Sequence, residues 1–157
     1  MPPDEAHTRA VADRWLDLIQ NDAEYPDKIC TEDYRAKFYP SGVEVNGRDE
    51  LRAGVKDTFA ATGPRTFQLE WTAVSGDTLA FQGTMRATYR NDVPGQPPVG
   101  TDVDLPLCIV IKVRGDRIVT ETLYGIYRSQ QVRPLEFCGA EPHRLGSRSR
   151  HYAHRDQ

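Results

Sequence analysis

Cysteine is scarce in this chain: Cys30, Cys108 and Cys138 are spread over 157 positions. No Cys-x-x-Cys pair occurs, so neither a zinc ribbon nor a dithiol redox pair is expected. An odd number of cysteines behind an N-terminus without a signal peptide points to reduced thiols, each a small apolar residue of a core. Long hydrophobic runs are missing too. No stretch approaches the roughly 18 apolar residues of a membrane-crossing helix. The opening MPPDEAHTRAVADRW has neither the basic start nor the apolar segment of a secretion signal, and the chain reads as cytoplasmic. Charge of one sign is not in excess: 20 Lys and Arg stand against 23 Asp and Glu, a formal net charge of -3. That balance supplies no field for a nucleic-acid backbone. Phosphate-binding glycine loops, a GxGxxG and a Ser-His-Asp order are all lacking. Of the four histidines, His151 and His154 have a ligand-like spacing but lie in a basic tail. No metal and no cofactor is expected.

What is present is an ordinary globular composition, 38% hydrophobic and 27% charged, on a length that suits one domain. Residues 8–20 put Val11, Trp15, Leu18 and Ile19 at helical spacing, ended by Asn21-Asp22. Tyr25-Pro26 opens a short second helix through Cys30. An extended aromatic segment over 33–39 and a short strand at 43–45 follow, the latter closed by Asn46-Gly47, a strong turn signal. Leu51, Val55 and Phe59 mark a third helix over 48–60, with Asp49 and Glu50 in its first turn. Four strands come next. Phe67, Leu69, Trp71 and Ala73 alternate with polar residues, as do Leu79 to Tyr89 and Leu105 to Val113, and Arg117–Tyr127 closes the set. Period-two alternation means antiparallel strands with one face on a core. Helices followed by a meander give an α+β domain, 1–135, whose curved antiparallel sheet wraps N-terminal helices around an apolar pocket. Residues 136–157 read as a loosely ordered basic tail, with Leu135 and Phe137 just before or within it as possible docking points.

This order of elements resembles the cone-shaped fold of nuclear-transport-factor-like proteins, and within it the SnoaL-like polyketide cyclases. The stretches that carry the likeness are VNGRDELRAGV, GDTLAFQGTMRATY and VIKVRGDRIVTETLYGIY, over roughly residues 8–130. The resemblance implies cofactor-free chemistry in an apolar cone: aldol-type ring closure, isomerisation, epoxide opening or dehydration. Some members of such families only bind ligands or partners.

Four residues are the candidates for that chemistry. Asp104 stands near the start of the third long strand, where SnoaL-like cyclases carry an acid that shuttles a proton; burial would raise its pKa into a useful range. Strict alternation puts it opposite Leu105, unless Pro106 marks a bulge that resets the pattern. Tyr89 falls near the place of a SnoaL-like histidine and could donate a hydrogen bond. Glu121 is the acid inside the last strand. Limonene epoxide hydrolases resemble this strand but have their acid where this chain has Leu123, and their Arg-x-Asp pair meets Gly83 and Met85. Tyr39, with Lys37 on the same side, follows the second helix where related pockets place a polar group. Phe38, Phe67, Trp71, Phe81, Met85 and Ile109 are the expected substrate-binding walls.

The first reading is therefore a cyclase or isomerase acting on a polyketide- or terpenoid-like small molecule in natural-product biosynthesis, with intramolecular epoxide opening as one form. A binding or assembly module of the same fold, and an epoxide hydrolase that uses water, are the alternatives. The strands' second faces are mixed rather than charged (Thr72, Val74, Thr84, Thr88, Cys108, Val110), which favours a homodimer.

Overall fold

The computed structural model of the chain describes residues 4–125. The basic tail, with Leu135, Phe137, Cys138, His151 and His154, and the end of the last strand lie outside the described residues.

Helix α1 (Glu5–Asn21) begins where Asp4 caps it, its carboxylate accepting from the Ala6 N–H, and ends where the Asp22 N–H bonds Leu18. A cap of this kind contributes about 1 kcal/mol. Val11, Ala12, Trp15 and Ile19 form its buried stripe. Thr8, also buried, donates to the Gly76 carbonyl at 2.7 Å and so fixes the helix start against a strand turn. Helix α2 (Tyr25–Ile29) carries Pro26 in its first turn, where a missing N–H costs nothing. Strands β1 (Cys30–Tyr39) and β2 (Val43–Asn46) form a hairpin, and Gly47, at φ 96°, turns the chain into helix α3 (Arg48–Thr62). Strands β3 (Thr66–Ser75), β4 (Thr78–Thr88), β5 (Asp102–Arg114) and β6 (Arg117–Gly125) complete the chain as described.

The six strands make one curved, unclosed sheet in the order β2-β1-β6-β5-β4-β3. The meander pairings are antiparallel, as alternation predicts; among the described strands β1 and β6 alone run parallel, joined by the whole of the intervening chain. The core lies between the sheet's inner face and the helices, where Trp15, Ile29, Tyr34, Leu51, Phe81 and Ile111 are fully buried.

Two registers decide which side chains face that core. Strand β5 pairs with β4 without a break, Thr84 opposite Pro106 and Arg86 opposite Asp104. Pro106 therefore makes no bulge against β4, and the alternation runs through: Val103, Leu105, Leu107, Ile109, Ile111 and Val113 point inward. Strand β3 does break. Leu69 faces Gly83 and Trp71 faces Gln82, so Glu70 is an extra residue in the strand. The bulge reverses the faces beyond it: Phe67 is inward before it, Thr72 and Val74 after it, and Trp71 is turned out.

Candidate active site

The inner face of the sheet and all three helices enclose a cavity of about 80 Å³. Its walls are apolar: Ile19 from α1, Leu51 and Val55 from α3, Phe38, Phe67, Met85, Leu105, Leu107, Ile109 and Leu123 from the strands. Each strand residue arrives by the alternation just described. Gly83 shapes one wall. A Cβ there would lie 2.6 Å from the Phe67 ring and 2.3 Å from the Gln68 carbonyl, so only glycine lets Phe67 lie across β4.

Few polar groups line this cavity, and most are already engaged. Gln20 donates to the Leu16 carbonyl and accepts from the Phe67 N–H. Thr58 donates to the Gly54 carbonyl inside its own helix. Arg65 donates through Nε to the Ile19 carbonyl at 2.9 Å, its guanidinium lying 5.3 Å from the Phe59 ring centre. The side chain least at home is Glu121. It enters from β6, between Ala36 of β1 and Ile111 of β5, and is 7% exposed. Its Oε2 accepts a hydrogen bond from the hydroxyl of Tyr34, itself fully buried on β1. Oε1 has no hydrogen-bond partner among the described residues.

Burial pushes the Glu121 carboxyl above its ordinary value, because removal from water penalises the charged form. The Tyr34 hydrogen bond, and then the Arg65 charge, work the other way and only partly offset it. Burial first, and the Glu121 charge second, push the Tyr34 and Tyr25 phenols upward, so both stay protonated donors. The result is a carboxyl in an apolar cavity, oriented by one phenol, beside a second phenol and a guanidinium. Such a group can take a proton from a bound molecule and return it.

The structure separates the predicted site residues. Glu121 faces the cavity, and Phe38, Phe67, Met85 and Ile109 line it. Asp104 does not reach it: the side chain is 65% exposed on the outer face, with Arg86 at 3.5 Å. The placement expected for a pocket acid fails there because Pro106 leaves the alternation intact. Tyr39 is turned the same way, stacked on Tyr124 with ring centres 5.2 Å apart and Lys37 over its face. Tyr89 is buried beyond the cavity at the end of β4, its hydroxyl 3.4 Å from Gln96. Among the expected walls, Trp71 is corrected by the bulge to the outside, 45% exposed and bonded to Gln82. Phe81 stands behind the wall, edge-on to Trp15 and Phe67. Tyr34, Tyr25, Arg65 and Trp15 were not among the predicted site residues. Tyr34 had a visible signal: it lies two and four residues from Ala36 and Phe38, on their face of the strand.

Comparison with known proteins agrees with this architecture. Residues 8–121 match the profile of the SnoaL-like domain. No curated protein matches the sequence. Among solved structures, a protein of Jannaschia sp. CCS1, assigned as a SnoaL-like polyketide cyclase, superposes with a TM-score of 0.67 at 19% identity, covering 80% of this chain and 89% of its own. An epoxide hydrolase of the LEH-like type from M. tuberculosis gives 0.65 at 15% identity, over 79% and 86%. IdmH of Streptomyces antibioticus, assigned as a polyketide cyclase, gives 0.62 at 17% identity, over 75% and 91%. At these identities the likeness is one of fold.

Proposed function

The chain belongs to the SnoaL-like family, and from that premise we propose that it is a cofactor-free acid–base catalyst of the cyclase or isomerase type. Its substrate is an apolar polyketide- or terpenoid-like small molecule of natural-product biosynthesis. The observation that carries this reading is the Glu121 carboxyl, buried in an apolar cavity with one oxygen held by Tyr34 and the other unengaged. A site that only binds an apolar molecule gains nothing from such a group, whose burial costs stability. In this reading the Glu121 carboxylate takes a proton from a carbon next to a carbonyl. Arg65 and the protonated phenol of Tyr25 offset the negative charge that develops. The protonated carboxyl then returns the proton elsewhere on the molecule. The apolar walls hold the chain folded for the step.

Exchange of the α-protons of β-tetralone in heavy water, followed by NMR, tests the proposal with a compact enolisable probe. The wild type is expected to accelerate exchange and Glu121→Gln to lose about 10²–10⁴-fold of that acceleration. Equal acceleration by the two proteins would remove Glu121 from the chemistry and favour the binding reading.

A further inference from the structure

Among the side chains that line the cavity is one fully buried donor left without a partner among the described residues. Trp15 lines the cavity from α1 and is 1% exposed. Its indole Nε1–H is fully buried and has no hydrogen-bond partner among the described residues. Two acceptors that line the cavity are committed, the Gln20 amide oxygen to the Phe67 N–H and Glu121 Oε2 to the Tyr34 hydroxyl, and the open Glu121 Oε1 makes no hydrogen bond with the indole. A buried N–H without an acceptor costs about 1–3 kcal/mol, and an indole donor is usually satisfied when buried. A phenylalanine would fill an apolar wall without that cost.

We propose that Trp15 is a substrate-binding residue whose indole N–H receives a carbonyl oxygen of the ligand. This deepens the acid–base reading, on which it rests, by naming the substrate class: a compact, largely apolar ketone, held by its oxygen at α1 while Glu121 on β6 meets its acidic C–H. A donor already stripped of water is strongest where the ligand oxygen becomes an enolate, since no water needs displacing at that moment. The ligand's remaining surface meets Ile19, Leu107 and Leu123, which offer it no polar partner. Hydrocarbons and carbonyl compounds of one shape should therefore be told apart.

The test compares β-tetralone with tetralin, the same skeleton without the oxygen, in a heteronuclear NMR titration of the intact protein. The protein has two tryptophans, and Trp71→Phe, on the outer face, identifies the Trp15 indole resonance without touching the cavity. The ketone is expected to move the Trp15 indole proton downfield and to bind about fivefold more tightly than tetralin, as one net hydrogen bond provides. Tetralin should perturb the Met85 methyl while leaving the Trp15 indole proton close to its free position. A ketone that binds no tighter than tetralin, or fills the cavity without moving that proton, overturns the proposal. Failure of the acid–base reading looks different. The Trp15 shift would persist while Glu121→Gln exchanged the ketone's protons at the wild-type rate.

Discussion

Glu121 is held in the fold against its own preference for water, and this has a measurable sign. In the unfolded chain it titrates near the ordinary 4.5, and in the folded chain higher, because burial penalises the anion. The folded state therefore binds the proton more tightly. Glu121's contribution to stability falls as pH rises from about 4.5 through its raised folded value, and the full penalty stands above that. Glu121→Gln keeps an acceptor for Tyr34 and removes the charge. It should raise stability at neutral pH by about 1 kcal/mol and leave acidic-side stability little changed, as denaturant melts across pH would show. Asp33 runs the opposite way. Arg114 holds its carboxyl down to about 2, so the stability it contributes is present above 3.8 and lost as pH falls toward 2. Tyr34 is a positioning residue, and its readout is a titration. Tyr34→Phe removes the hydrogen bond that lowers the Glu121 pKa, so the Glu121 carboxyl followed by carbon NMR should titrate at higher pH than in the wild type. An unchanged midpoint would mean that Tyr34 only fills space. The sequence made Glu121 visible because an acid between Val119 and Leu123 breaks an apolar strand. Tyr25 and Arg65 were hidden because both stand at element ends, where no periodicity assigns a face.

At the scale of elements, the helices and strands could be read from spacing, and their faces could be read where register was unbroken. Strand β5 separates two readings of one residue: alternation turns Asp104 outward, as found, while its candidacy as a pocket acid needed a disturbance at Pro106 that is absent from the pairing with β4. Strand β3 shows the failure. Nothing in Phe67-Gln-Leu-Glu-Trp71 announces a bulge, since its cause lies on the partner strand, in the register fixed against β4. Gly83 is the partner-side clue, for Phe67 and the Gln68 carbonyl occupy the space of its missing Cβ. Gly83→Ala should cost about 1–3 kcal/mol through overpacking, read as a lower denaturant midpoint. It should also displace Phe67 and weaken binding of apolar probes in the cavity. Stability equal to wild type would show that the close approach is not needed.

Across the whole molecule, the inner face builds the cavity and the outer face carries a row that crosses five strands. The registers align Tyr39 with Tyr124, Tyr124 with Cys108, Cys108 with Gln82, and Gln82 with Trp71. Exposed aromatic residues end or interrupt this row, with Trp71 and Tyr124 about half exposed. Two copies packed sheet to sheet would cover it, so we expect a dimer in sedimentation at micromolar concentration and a shift toward monomer on Trp71→Arg. Sedimentation as monomer alone would contradict the expectation. The proposed function rests on one carboxyl inside the cavity, Glu121. The pH dependence of β-tetralone exchange by the wild-type protein tests that most directly. The rate should climb through a single midpoint above the ordinary glutamate value, coincide with the titration of the Glu121 carboxyl, and move upward with it in Tyr34→Phe. A profile that ignores the Glu121 titration, or a midpoint at or below the ordinary value, would contradict the account.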